Sequence, residues 1–215
     1  MSSWDEEEDP LIASTIPDVE RLKRVWRNEK AAPEILQFQG ELVQRAREQI
    51  QLQEDNTTVM QGEGTDDLTL SLYQMDLDRT LFLLRSYLRT RLQKIEKYMI
   101  HISKTPLWDR LSEQEQNFVK RCTDAFEQHL EQSVLSRLPY GYQSILRQSI
   151  SSEEDDMVPV PNLDTFVFCR SKGTVGAFQL DETGEDIIDL VADDLYVLRY
   201  KSIKSLVETG QIDLV

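Results

Sequence analysis

The chain has 215 residues, 40% of them hydrophobic and 29% charged, which suits one large or two ordinary folded domains and excludes collagen-like, disulfide-scaffold and wholly disordered classes. Its 39 acidic against 24 basic side chains leave a formal charge of -15, which repels phosphate backbones and argues against non-specific nucleic-acid binding. The longest aliphatic or aromatic run, Leu81-Phe82-Leu83-Leu84, is far below the roughly 20 residues that span a bilayer, and the acidic opening after Trp4 resembles no secretory signal.

Residues 1–16 read as a disordered acidic tail, because Asp5 to Asp9, Pro10, Ser14 and Thr15 offer little apolar surface to bury; Leu11 and Ile12 are its one docking feature. Pro17 and Asp18 then open a helix, with Pro at its first position and an acid in its first turn, and Val19, Leu22, Val25 and Trp26 repeat at helical spacing. A second helix is predicted from near Pro33 through Ile35, Leu36, Leu42, Val43, Ala46 and Ile50, giving a helical hairpin. Residues 55–66, which contain two glycines, read as a mobile connection.

The strongest helical signal runs from Leu68 to about Ile102 and would span roughly 50 Å at 1.5 Å per residue. One small bundle does not cover so long an apolar stripe, so part of it is expected to face another chain. Pro106 punctuates its end. Ser112 and Glu115 form a capping box for a fourth helix carrying Phe118, Val119, Cys122, Phe126, Leu130 and Val134, and Pro139 closes that. Residues 17–138 therefore read as one helical domain. Residues 139–161, rich in Ser, acids and Pro, read as a flexible acidic linker, in which Ser149, Ser151 and Ser152 stand beside acids and suit an acid-directed kinase. From 162 the period changes: Phe166–Arg170, Val175–Leu180, Ile187–Leu190 and Tyr196–Tyr200 are short β-rich runs, followed by a helix over 203–208 and a last strand, Ile212–Val215. That makes residues 162–215 a small β-rich domain, too small to be more than marginal alone, and the fold class α+β.

Catalytic chemistry finds no home. There is no P-loop, GxGxxG, GxSxG or HExxH; Cys122 and Cys169 lack CxxC spacing, and His101 and His129 stand alone, so neither catalytic residues nor cofactor or metal ligands are predicted. One constellation remains, a basic stripe of Arg85, Arg89, Arg91, Lys94 and Lys97 on the long helix, open to three readings: a solvent face, salt bridges to an acidic partner, or a nucleic-acid contact. The stripe, Tyr87, and the terminal Ile212, Leu214 and Val215 are the candidate partner-facing residues.

Three stretches carry a family resemblance: Val25-Trp26-Arg27-Asn28-Glu29-Lys30-Ala31-Ala32-Pro33-Glu34-Ile35-Leu36, the run from Tyr87 to Tyr98 (YLRTRLQKIEKY), and Leu198-Arg199-Tyr200-Lys201-Ser202-Ile203 through Leu206-Val207-Glu208-Thr209-Gly210 to Leu214-Val215. With Asp164-Thr165-Phe166-Val167-Phe168 they resemble, in order, the GINS subunits of the eukaryotic replicative helicase, most closely the Sld-five branch. The resemblance implies a helical A domain followed by a β-rich B domain, no active site and no cofactor. It also implies a one-to-one heterotetramer with three sister subunits, joining the MCM ring to the cell-division-cycle forty-five protein at replication forks in the nucleus. Contacts to a fork scaffold and a replicative polymerase belong to the same picture, with DNA touched at most indirectly and no membrane. An acidic scaffold of another complex, or a subunit touching DNA through the basic stripe, is the alternative.

Overall fold

A computed structural model describes residues 17–62, 66–180 and 187–215. Residues 1–16, read from sequence as an acidic tail, and residues 63–65 and 181–186 lie outside the described residues. Among those described, the order is α1 (Asp18–Ala31), α2 (Gly40–Gly62), α3 (Asp67–Lys104), a 3-10 turn (Pro106–Arg110), α4 (Glu113–Ser133), a second 3-10 turn (Leu135–Arg137), β1 (Phe166–Ser171), β2 (Val175–Gln179), β3 (Ile187–Leu190), β4 (Leu195–Arg199), α5 (Tyr200–Glu208) and β5 (Ile212–Leu214). This is α+β with the helices first and the sheets last.

The chain divides into two compact units, one of residues up to Arg27 with Gln39–Leu88, the other of Asn28–Phe38 with Arg89–Val215. In the first, Leu22 of α1, Leu42, Val43, Ala46 and Ile50 of α2, and Leu77, Leu83, Leu84 and Tyr87 of α3 are buried. Trp26 donates its indole N–H to Ser86 Oγ at 2.9 Å and meets Phe82 edge-on, joining α1 to α3. Arg45 grips Asp18 with two bonds of 3.0 and 3.2 Å, an exposed pair that adds little.

Two expectations fail here. Residues 33–39 hold neither helix nor strand, with bends at Pro33 and Glu34: Ala32, preceding a proline, is disfavoured in the helical region and so ends α1, and the carbonyls of Glu34, Ile35 and Leu36 accept from side-chain cations. Residues 55–62, read from sequence as a loop, continue α2: Thr57 and Thr58 turn their hydroxyls back onto the Gln53 and Glu54 carbonyls at 2.7 and 2.9 Å, so the polar side chains are satisfied within the helix.

In the second unit, Ile35 of the segment between α1 and α2 packs with Ile95 and Ile102 of α3, Leu107, Leu111 and Val119. The capping box is present, with Glu115 N donating to Ser112 Oγ at 3.3 Å and Ser112 N to Glu115 Oε2 at 2.8 Å. Residues 139–161 hold neither helix nor strand. Beyond them, β1 is the centre of a three-stranded antiparallel sheet ordered β4-β1-β5, and β2 and β3 form a second, two-stranded sheet. Along β1 the residues alternate, Val167, Cys169 and Ser171 inward, Phe166, Phe168 and Arg170 outward. The inward set joins Leu190, Leu198, Tyr200, Ile203, Val207, Ile212 and Leu214 in one core, which also takes in Ala32. Gly210, at φ +78, supplies the left-handed residue that turns α5 into β5.

Burial pushes the Cys169 thiol up to about 11 from an ordinary 9.0. A raised value means stability that is complete below pH 9 and drains as pH climbs through 11, once the unfolded thiol ionises first. Burial, then the Glu34 carboxylate, also holds the Tyr200 phenol protonated, with the same sign, whereas burial lowers Lys94 and acts oppositely. Urea unfolding of the native chain and of Cys169→Ala from pH 8 to 11 isolates the thiol. The native chain starts the more stable and its lead shrinks; a constant lead would refute the assignment.

Candidate partner interface

The residues singled out on α3 part company in the folded chain. Arg85 and Arg89 lie exposed, but Arg91 has no exposed surface and Lys94 is largely covered. Arg91 occupies the register of Tyr87 and Ile95, one helical turn to either side, so it sits on the apolar face. All five of its N–H donors are taken. Nε and Nη2 fork onto Glu115 at 2.7 and 3.0 Å, Nη1 reaches Glu29 at 2.9 Å and the Leu36 carbonyl at 2.7 Å, and Nη2 also reaches the Arg110 carbonyl at 3.2 Å. The guanidinium also lies over the Phe38 ring, 5.2 Å from its centre. Lys94 donates to Glu29 Oε1 and to the Glu34 carbonyl, each at 2.8 Å, and to the Glu29 carbonyl.

The irregular segment after α1 is therefore a hub. Its carbonyls at Glu34, Ile35 and Leu36 are satisfied by Lys94, Arg110 and Arg91, which explains how a partly buried stretch survives with neither helix nor sheet bonds. Glu34 itself, almost wholly buried, receives Arg110 at 3.1 Å, Lys204 at 2.8 Å and the Tyr200 hydroxyl at 3.2 Å, tying α5 to the helices. Burial works against the Arg110 charge, yet Glu34 and Glu208 outweigh it and hold the guanidinium's pKa above its ordinary value. Asn28 reaches β5, accepting from Leu214 N at 2.8 Å and donating to Asp213 at 3.4 Å. Glu29, Glu34, Glu115 and Asn28 were not foreseen as a network. The available signal was an arginine in an apolar helical register, which demands buried carboxylates.

The other singled-out residues divide likewise. Tyr87 is fully buried, its hydroxyl accepting from Gln39 N at 3.4 Å, and Ile212 and Leu214 belong to the core under β1. Val215 is half exposed, its N–H donating to the Phe168 carbonyl at 3.0 Å. Tyr87, Arg91, Lys94, Ile212 and Leu214 are thus engaged inside this chain, which leaves Arg85, Arg89 and Val215 on its surface.

Large apolar side chains also stand in solvent. On the first half of α3, Leu68, Leu72, Met75 and Phe82 are 58 to 68% exposed, and 68, 75 and 82 recur every seven residues, a seam of the kind that packs on another helix. On α2, Leu52 and Val59 stand exposed at the same spacing. The outer face of the three-stranded sheet presents Phe166, Phe168, Val197 and Leu195, with the Arg199 guanidinium 5.6 Å over Phe166. Among the described residues no group of His, Cys, Asp and Glu is placed to hold a metal, and no helix is long and apolar enough to cross a membrane.

Comparison with known proteins matches residues 45–134 to the family described as the GINS complex protein helical bundle domain and residues 161–215 to the DNA replication complex GINS protein SLD5 C-terminus. A protein of Arabidopsis thaliana named DNA replication complex GINS protein SLD5 is 56% identical over 201 residues, covering 92% of this chain and 91% of its own length. Proteins of the same name are similar at 33% in Schizosaccharomyces pombe, over 99% of both chains, and at 31% in Homo sapiens, over 92% of this chain and 88% of the human one.

Proposed function

This chain belongs to the Sld5 family of GINS proteins, structural and non-catalytic subunits of a DNA replication complex that contains other subunits, and on that premise we propose how it works. It acts by contact alone, as one of four sister subunits in a one-to-one heterotetramer that joins the MCM ring to the cell-division-cycle forty-five protein in the nucleus, at replicating chromatin. Residues 17–138 serve as the helical A domain, 162–215 as the B domain and 139–161 as their connection. The observation that carries this reading is the exposed seam of Leu68, Leu72, Met75 and Phe82, which water penalises until a partner helix covers it. Arg85, Arg89 and Val215 are further partner-facing positions.

Co-expression with the three sisters, followed by size exclusion and native mass, tests it. The expected result is one stoichiometric four-chain particle. Leu72→Asp with Met75→Asp should abolish that particle while leaving the isolated chain's stability within about 0.5 kcal/mol, since both side chains already face water. Arg85→Glu with Arg89→Glu should weaken assembly by roughly ten- to a hundredfold and flatten its salt dependence, as reversal of charges that meet an acidic partner does. A monodisperse monomer indifferent to the sisters would overturn the reading.

A further inference from the structure

Residues 144–158 form a closed turn: Met157 N donates to the Leu146 carbonyl at 2.9 Å, Gln148 N to Asp156 Oδ1 at 2.8 Å, and Val158 N to the Asp155 carbonyl at 3.0 Å. Asp155 anchors this turn, pairing with Lys104 at the end of α3 and with Arg147 at 3.7 Å. Three serine hydroxyls meet at its tip, Ser149 Oγ lying 2.9 Å from Ser151 Oγ and 3.3 Å from Ser152 Oγ. Beside them an open pocket of about 630 Å³ is lined by Lys104, Ser144, Arg147, Ser149 and Asp155.

The three hydroxyls are not equivalent. Ser151 is exposed, and the carboxylates two and three residues after it, Glu153 and Glu154, are exposed and without an ion-pair partner among the described contacts. Ser152 is half-covered and donates to Asp156 at 3.3 Å, and the acid three residues after it is Asp155, already held by Lys104 and Arg147. Ser149 has Ser152, not an acid, at that position. Only Ser151 combines a free approach with two free carboxylates for a basic substrate groove to grip.

We propose that Ser151 is a phosphorylation site for an acid-directed protein kinase, and that the phosphate is received by Lys104 and Arg147. In the transfer, Ser151 Oγ attacks the γ-phosphorus of ATP, the bond from that phosphorus to the β,γ-bridging oxygen breaks, ADP leaves, and the hydroxyl proton passes to the kinase's catalytic carboxylate. The product carries close to two negative charges and three acceptor oxygens, set one serine away from a pocket whose two cations now share a single carboxylate, Asp155. The dianion competes for both cations, so modification exchanges the Asp155 anchor for a phosphate anchor and changes which carboxylates the turn presents. This inference does not depend on the subunit reading.

The test uses the purified full-length chain, ATP and an acid-directed kinase of the casein kinase 2 type, with the modified residue located by mass spectrometry. Label should fall on Ser151 and vanish in Ser151→Ala, and Glu153→Gln with Glu154→Gln should slow incorporation about tenfold, the worth of two exposed charge contacts. In a phosphorus NMR titration of the product, Lys104→Gln with Arg147→Gln should raise the phosphate's second pKa above that of the otherwise native phosphoprotein. Label elsewhere, no label, or full-rate labelling of the glutamine variant would overturn the kinase site; an unmoved phosphate pKa would overturn the receiving role of the two cations.

Discussion

Replacing Arg91 with alanine is expected to destabilise the chain by about 3–5 kcal/mol, a large share of the roughly 5–15 kcal/mol that holds a typical domain together. The cost arises less from the ion pairs lost than from what stays behind. Glu29 and Glu115 are 1 and 7% exposed, and without the guanidinium one carboxylate keeps only Lys94 and the other only the Ser112 N–H. The Leu36 carbonyl loses its donor as well, whereas the Arg110 carbonyl keeps the Phe38 N–H. Arg91→Lys should cost distinctly less, because it keeps the charge, yet it should not restore stability, since an ammonium lacks the fork that grips Glu115 with two bonds. Urea midpoints of the three proteins check this, and Arg91→Ala within about 1 kcal/mol of the native chain would refute the claim that the guanidinium compensates the buried carboxylates.

Removing residues 212–215 should unfold the C-terminal sheet domain. Ile212 and Leu214 are each 1% exposed in the core beneath β1, and burying a side chain of that size is worth about 1.5–3 kcal/mol, so the pair accounts for about 3–6 kcal/mol before any ladder bond is counted. The truncation also leaves the Cys169 to Ser171 edge of β1 unpaired and frees Asn28 from Leu214 N. A domain of this size has little reserve. Hydrogen exchange should show protection lost across β1, β4 and α5 while the buried amides of α2 and the first half of α3, in the other compact unit, keep theirs. Retained protection in β1 and β4 would show that β5 is an ornament of this sheet and not a support.

How a residue's surroundings entered its sequence decides how legible it was. The capping box at Ser112 and Glu115 could be read because both partners stand three residues apart and the backbone bonds they make are local. The extent of α3, though not its kink at Tyr98 (φ -119, ψ 19), the change to period two after residue 162 and the final alternating Ile212-Asp213-Leu214 were legible for the same reason: each is a pattern over neighbours in the chain. Where the pattern was polar, local reading misjudged it. The two glycines of 55–66 suggested a loop, yet α2 runs on to Gly62, with Thr57 and Thr58 each satisfying a hydroxyl within the helix. Pro33 suggested a helix start, and instead it begins an irregular segment whose carbonyls accept from cations at residues 91, 94 and 110.

The sequence by itself determined the α+β order, the long third helix, the absence of any familiar catalytic motif and the family, because composition, periodicity and motif order are properties of the chain alone. Tertiary structure alone decided which cations are structural and which face outward. Arg85, Arg89 and Arg91 share one helix, yet Arg91, two residues beyond Arg89 and in the register of Tyr87 and Ile95, alone turns to Glu29 and Glu115, 62 and 24 residues away. A buried charge is tolerated only where carboxylates converge on it in space, and that convergence exists only once the chain has closed.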